Sequence, residues 1–220
     1  KESEEIFDGI TSRHVNAYYS TIVKGLSAKV FRTYLASSVV TKYLREHTDV
    51  KSESNMKKLF HAKLANLDAA IMCNHKRTIP KNFEASLQKK RDTLKTAEKT
   101  KPWKATEELL KKAESKVVKT EKLKEKQKER IKKIKTTIKN RKAKHIERIE
   151  KLELQVNLSE KTRDYNLGTS LRNYIDPRIF KTWTDDVGAD WEKLYTSALQ
   201  KKFLWVKDIN SKWNEISKEY

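Results

Sequence analysis

Along residues 12–23, Val15, Tyr18, Tyr19 and Ile22 recur at i, i+3, i+4 and i+7. That spacing is one apolar face of a helix, with Ser12 as its expected cap and Gly25 as its stop. Ser27 is placed to cap a second helix, whose apolar side is expected to be Val30, Phe31, Tyr34 and Leu35. A third helix is expected from about Ser54 to Asn74, with Phe60, Leu64, Leu67 and Ile71 as its stripe. Three such helices share only a small core, so further neighbours are expected to cover them.

From Pro80 to about Val156 the texture changes. Apolar residues become sparse but stay periodic: Phe83, Leu87 and Leu94, then Ile131, Ile134, Ile138, His145, Ile149, Leu152 and Val156. This is a narrow seam of coiled-coil type, and a single seam needs a partner. The two halves of the stretch supply one for each other in an antiparallel hairpin. Its tip is expected within residues 115–128, with Thr100-Lys101-Pro102 as a rival tip or a kink.

Beyond the arm the apolar pattern thickens. Asp176 before Pro177 suits an N-cap followed by proline at the first helical position. Ile179, Phe180 and Trp183 make a short helix ending near Gly188. Asp190 is placed to cap the next, with Trp191, Leu194 and Tyr195 on its apolar side. Leu199, Phe203, Leu204, Val206 and Ile209 begin another, with Trp205 and Trp213 nearby. These aromatics are read as core and docking surface.

Composition sharpens this picture. Charged and hydrophobic residues each make up 36%, with only four glycines and three prolines in 220 residues. So few breakers among so many Lys, Glu, Leu and Ala predict an all-α chain. It should hold a helical core subdomain at 1–79, a long basic coiled-coil linker hairpin at 80–156 and a small helical C-terminal domain at 157–220. The net charge is +20. Residues 76–155 hold 28 Lys and Arg against 12 Asp and Glu, so most of the excess sits on the arm. Such a field favours polyanions, nucleic acid first. No stretch approaches the roughly 20 apolar residues of a membrane span, and no signal-like N-terminus is present. The arm's seam is too narrow for a membrane-surface helix. Cys73 is the single cysteine, which excludes an internal disulfide. The chain begins at Lys1 and is expected to be a piece of a longer protein.

Candidate chemistry gathers at Gly168–Arg178. No glycine occurs between Gly25 and Gly168, so Gly168 is read as a turn that reopens the chain. Tyr174 should then sit just outside a helix start, held between Arg172 and Arg178. A phenol in such a place can attack a phosphate. On local residues alone it is an ordinary packing tyrosine, and Arg32 an ordinary solvated arginine. Cys73 and His75 lie only two apart with no second Cys/His pair at zinc spacing, so no metal site is expected. His14, His47, His61 and His145 are scattered.

Three stretches resemble a known family. Ser170-Leu171-Arg172-Asn173-Tyr174-Ile175-Asp176-Pro177-Arg178 resembles the active-site segment of the eukaryotic-type (type IB) DNA topoisomerases I. There a Ser-Lys-x-x-Tyr pattern precedes x-Asp-Pro-Arg; here the lysine position is Leu171, with a base one place later at Arg172. Residues 25–37, Gly-Leu-Ser-Ala-Lys-Val-Phe-Arg-Thr-Tyr-Leu-Ala-Ser, resemble the family's Gly-Leu-Thr-Ala-Lys-Val-Phe-Arg-Thr-Tyr-Asn-Ala-Ser and depart only at Ser27 and Leu35. Cys73-Asn74-His75-Lys76-Arg77 is similar to its Cys-Asn-His-x-Arg. Lys202-Phe203-Leu204-Trp205 also resembles a Lys-Phe-Ala-Trp near the family's C-terminus.

The resemblance implies that Tyr174 is the nucleophile and that Arg32 and His75 stabilise charge on the scissile phosphate. Lys29, Lys76, Arg77, Arg172 and Arg178 are expected DNA contacts. It implies relaxation of supercoiled double-stranded DNA through a 3′-phosphotyrosyl intermediate, with no ATP and no obligatory metal. Covalent attachment keeps the energy of the broken bond for religation, and no Gly-x-x-x-x-Gly-Lys-Ser/Thr loop is present. The family's other catalytic arginine and its lysine lie upstream, in core and cap regions. This chain by itself is therefore expected to be inactive without that upstream part as partner. A nuclear location is expected for a eukaryotic source, a cytoplasmic or nucleoid one for an archaeal source. Two other readings compete with this one. A tyrosine recombinase shares the Arg, His and Tyr chemistry, but those enzymes do not usually carry a long arm before the tyrosine. A basic coiled-coil DNA-binding protein without catalysis would leave the motifs as coincidence.

Overall fold

A computed structural model describes residues 7–220. Among these the chain is all helical: ten α-helices and three short 3-10 turns, with one isolated antiparallel bridge between Lys76 and Tyr165. Its contacts divide it into two units. The first comprises residues up to Ile79 together with Lys161–Tyr220, and the second is Pro80–Glu160.

The first unit begins with α1 (Ser12–Ile22), α2 (Ala28–Glu46) and α3 (Asn55–Met72). Thr11, not Ser12, is the N-cap of α1, while Ser27 and Ser54 cap α2 and α3. Gly25 follows α1 with φ of +81°, a left-handed turn that suits glycine. The expected stripe on α2 does not face the core. Val30, Phe31, Tyr34 and Leu35 are about half exposed, and the buried face is Ala36, Ser37, Val40, Thr41 and Leu44. Small side chains there let α2 lie close against α3, which contributes Ala62, Ala65 and Ala69. A face built from Ala, Ser and Thr carries little hydrophobic signal, so the apolar period points to the opposite side. Likewise α1 buries none of its residues, and Tyr18 and Ile22 are exposed. On α3, Leu64 and Leu67 are buried but Ile71 is exposed.

After Lys161 come α7 (Leu167–Asn173), α8 (Pro177–Val187), α9 (Ser197–Lys202) and α10 (Trp213–Ile216). Gly168 lies inside the first turn of α7 and not in a left-handed turn. Asn166 caps that helix by accepting the Gly168 amide at 3.0 Å. Asp176 accepts the Arg178 amide at 2.9 Å, with Pro177 in the first turn, and Gly188 closes α8 in the left-handed region. Ile179, Phe180 and Trp183 of α8 enter the same core as Ala36, Val40 and Ala65. Trp191, Tyr195, Phe203, Val206, Trp213 and Ile216 complete it. Trp183 is fully buried at the middle, and truncating a core tryptophan costs about 3–5 kcal/mol. The N-terminal and C-terminal stretches are thus held by one shared hydrophobic cluster.

The second unit is an antiparallel helical hairpin. Its outgoing arm is α4 (Phe83–Lys99) and α5 (Lys104–Glu114), and its return arm is α6 (Glu121–Lys161). Both features foreseen as rival tips exist: the turn lies at residues 115–120, and Thr100–Trp103 breaks the outgoing arm. Proline at 102 lacks an amide and disfavours helix at the residue before it. Leu87, Ala97, Ala113, Ile138 and His145 are buried along the seam. Flanking pairs fix the register, Arg91 with Glu160 at 2.6 Å, Glu107 with Lys142 at 2.8 Å and Glu114 with Lys135 at 2.9 Å. Such exposed pairs contribute about 0–1 kcal/mol each, so the seam carries most of the hairpin's stability.

Candidate active site

The end of α3 is built to present a histidine. Cys73 is its C-cap and Asn74 takes the left-handed conformation, φ +52°. The Asn74 amide then reaches Ile71 O at 2.9 Å and the His75 amide reaches Ala70 O at 2.8 Å. This pair of bonds is a Schellman cap with asparagine in the place usually held by glycine. It turns the chain sharply and puts His75 beyond the helix end. The next residues are gripped from the other side of the hairpin excursion. Asn166 N donates to His75 O at 2.8 Å, Arg77 N donates to Asp164 O at 3.0 Å, and Arg77 Nε donates to Arg163 O at 3.1 Å.

That clamp delivers the chain into α7, whose C-cap is Tyr174. The Tyr174 amide donates to Ser170 O at 2.9 Å. Ser170 is fully buried, and its hydroxyl donates to Asn66 Oδ1 at 2.9 Å, while Asn66 Nδ2 donates to Leu167 O at 3.1 Å. Downstream, Ile175 is buried in the core and Ser37 Oγ accepts the Asp176 amide at 3.0 Å. The tyrosine is therefore fastened to α3 before it and to α2 after it, while its own ring is only half-buried.

Three side chains face that ring. The His75 imidazole lies 5.0 Å from it, centroid to centroid. The Arg32 guanidinium sits 5.2 Å and the Lys29 ammonium 5.8 Å from the ring centroid. The cations over the ring thus come from α2, not from Arg172 and Arg178. Arg32 also donates to Cys73 O, one of the carbonyls left open at the end of α3. Burial lowers the pKa of His75, and the charge of Arg32 adds to the effect. The imidazole is therefore neutral at physiological pH. Its Nδ1 is buried with no hydrogen-bond partner, and a neutral ring with its proton on Nε2 leaves only a lone pair, not an N–H, unpaired there. The Cys73 thiol is buried and its pKa is pushed up by burial, with Arg32 pulling the other way. It is a packing group.

The remaining expected contacts divide into two sets. Arg178 is taken up by Asp176 and Glu219, with Nη2 at 2.6 Å and 2.7 Å from their oxygens. Those carboxylates raise its pKa, the Asp176 hydrogen bond first. Tyr220 donates to Asp176 Oδ2 at 2.8 Å and is pushed up to about 12, chiefly by burial. Arg77 is engaged by backbone carbonyls. Lys29, Lys76 and Arg172 are exposed. Sequence reasoning did not assign these roles to Asn66, Ser37 or Asn74; a polar residue on a buried helix face was the available signal for Asn66 and Ser37. Elsewhere, Tyr43, His47 and His61 cluster, with the Tyr43 hydroxyl and His61 Nδ1 hydrogen-bonded at 3.2 Å. Among the described residues no group of three or more His, Cys, Asp or Glu side chains is placed to hold a metal ion.

Two family profiles match the chain. The eukaryotic DNA topoisomerase I catalytic core matches residues 1–109, and the C-terminal topoisomerase domain matches residues 146–215. DNA topoisomerase 1 of Drosophila melanogaster is 33% identical over 94% of this chain and 19% of its own length. The Homo sapiens protein of that name is 34% identical over 94% of this chain and 26% of its own length. That of Caenorhabditis elegans is 33% identical over 97% and 24%. The chain thus spans about a fifth to a quarter of these relatives. With the catalytic-core profile and the C-terminal profile both matched, the chain belongs to the eukaryotic DNA topoisomerase I family.

Proposed function

We propose that this chain supplies the tyrosine half of a type IB topoisomerase site, which relaxes supercoiled double-stranded DNA. The observation that carries the reading is the approach of Arg32, Lys29 and His75, from α2 and the end of α3, to the ring of Tyr174 at the end of α7. In this reading Tyr174 Oη attacks a DNA phosphodiester. The phenol gives up its proton, a phosphotyrosyl bond forms to the 3′ end, and the 5′ oxygen leaves as a hydroxyl. The Arg32 guanidinium and the Nε2–H of His75 stabilise the charge that grows on the non-bridging oxygens. Donors held in place before the reaction act most strongly on such charge. The reverse attack by the 5′-hydroxyl reseals the strand, so the cycle consumes no ATP.

Lys29, Lys76 and Arg172 are proposed to meet phosphates at the site, and the basic hairpin to attract the duplex without sequence preference. Arg77 and Arg178 act through the clamps they form. The remaining catalytic groups are proposed to come from an upstream part of the same polypeptide. The exposed Tyr18, Ile22, Val30, Phe31, Tyr34 and Leu35 offer it an apolar face. A nuclear place follows from the same reading. A recombinase or a non-catalytic DNA-binding role is not favoured by the family matches.

The test is Tyr174→Phe in the full-length protein, assayed for plasmid relaxation without ATP and for trapped covalent adducts. Loss of both with DNA binding retained supports the reading. Undiminished relaxation overturns it.

A further inference from the structure

We propose that Asn66, with Ser170 as its partner, is the positioning residue that sets Tyr174 in register with His75. The inference rests on Tyr174 being the nucleophile.

Asn66 is a buried amide on α3 whose buried neighbours from Leu59 to Ala70 are all alanine and leucine. A polar group there is costly unless both ends of the amide are satisfied. Both are, and both by α7: the oxygen accepts from Ser170 Oγ at 2.9 Å and the nitrogen donates to Leu167 O at 3.1 Å. The bond to Leu167 O, a carbonyl that Ser170 Oγ also reaches at 3.2 Å, holds the first turn of α7, and the bond to Ser170 fixes the next turn. Two bonds to one short helix set both its translation along α3 and its rotation.

The same helix sets both members of the proposed pair. Asn66 lies on α3, and α3 ends in the cap that carries His75. Ser170 lies on α7, one turn before Tyr174, and its carbonyl accepts the Tyr174 amide. The distance from imidazole to phenol is thus fixed along a short rigid path of Tyr174, Ser170, Asn66, the last two turns of α3 and His75. A seven-residue helix is too short to hold its own position. Without the amide, α7 keeps its hydrophobic contact through Leu171, and the chain just past it keeps that of Ile175, but these permit sliding, because apolar packing is not directional. Reacting groups misplaced by about 1 Å lose about 100-fold in rate.

Asn66→Ala and Ser170→Ala in the full-length protein should each slow single-turnover formation of the covalent adduct by at least about 10-fold. DNA affinity should stay within about twofold. The double variant should be no slower than Asn66→Ala alone, because that substitution already removes both bonds, whereas Ser170→Ala leaves the one to Leu167 O. Rates are taken well below the thermal midpoint, with the folded fraction checked, so that lost stability does not mimic lost register. Wild-type adduct rates in folded Asn66→Ala and Ser170→Ala, with Tyr174→Phe inactive, overturn this proposal and leave the nucleophile in place. Effects of the two substitutions that multiply also overturn it. Adduct formation by Tyr174→Phe overturns the reading beneath it.

Discussion

The imidazole of His75 and the phenol ring of Tyr174 stand 5.0 Å apart, at 41° to one another, although the whole hairpin separates them in sequence. Such an arrangement suits a neutral donor working beside a nucleophile, and it makes a graded prediction. His75→Ala in the full-length protein should slow adduct formation by about 100-fold to 1,000-fold, the usual cost of one missing oxyanion donor. His75→Gln retains an N–H of similar reach and should lose less. DNA binding should hardly change in either. Equal losses in the two variants, read by single-turnover cleavage, would show that the ring shape matters and the donor does not.

His75 owes its place to a backbone choice one residue earlier. Asn74 is the one described residue other than glycine with a positive φ. The left-handed region costs other L-residues roughly 1–2 kcal/mol and glycine nothing. Asn74→Gly should therefore keep the cap and unfold no more readily than wild type. Asn74→Val should lose on the order of 2 kcal/mol, since a β-branched side chain tolerates this region least. Its adduct rate should fall as well, because a relaxed cap moves His75. Chemical denaturation together with the cleavage rate separates the two effects.

Much of this architecture was legible in the chain. The narrow seam of residues 83–156 defined a hairpin because charge leaves only one face able to bury, and Pro102 and Gly188 act through covalent geometry that sequence shows directly. The inward face of α2 was not legible. Its core positions are Ala36, Ser37, Val40 and Thr41, while its bulkier apolar residues, Val30, Phe31, Tyr34 and Leu35, point away from the core. A reading by hydrophobic period takes the larger side chains. Arg32, His75 and Tyr174 were named through resemblance; no spacing along the chain brings together α2, the end of α3 and α7. That convergence depends on Asn66, Ser37 and the Asn74 cap, whose roles exist only once the helices have packed. Gly168 was misread because a glycine in the first turn of a helix has the same letter as one in a turn.

Acid should loosen the first unit. Burial lowers the pKa of His75 and of His61; Arg32 reinforces the shift at His75, and His47 and Lys161 reinforce it at His61, against Asp49 and Glu53. A lowered folded value means that the unfolded chain takes up the proton first. Stability is then fully present above about pH 6.5, the ordinary value, and declines as pH falls toward the folded values. Asp68, raised by burial, works in the opposite sense. Between pH 7.5 and 5 the wild type should lose more stability than His61→Gln, which has no proton to gain. Urea unfolding at the two pH values measures this. A parallel loss in both proteins would remove His61 from the account.

The hairpin holds a buried imidazole of a different kind. His145 is 6% exposed, meets the Trp103 ring edge-on at 5.3 Å and makes no hydrogen bond to another described residue. It borders a cleft of about 630 Å3 lined also by Ala97, Thr100 and Arg148. Its ring nitrogens are not buried without a partner, as His75 Nδ1 and Trp183 Nε1 are; they reach solvent through the cleft. The aromatic contact contributes about 0.5–1.5 kcal/mol and does not need the nitrogens. His145→Phe keeps that contact and adds apolar surface to the seam. It should therefore protect the amides of α5 and α6 from hydrogen exchange at least as well as wild type does. Weaker protection would mean that the solvated nitrogens support the seam, through water or a small polar molecule in the cleft. The hairpin tip at residues 115–120, far along the seam from His145, should exchange alike in both proteins and serves as the internal reference.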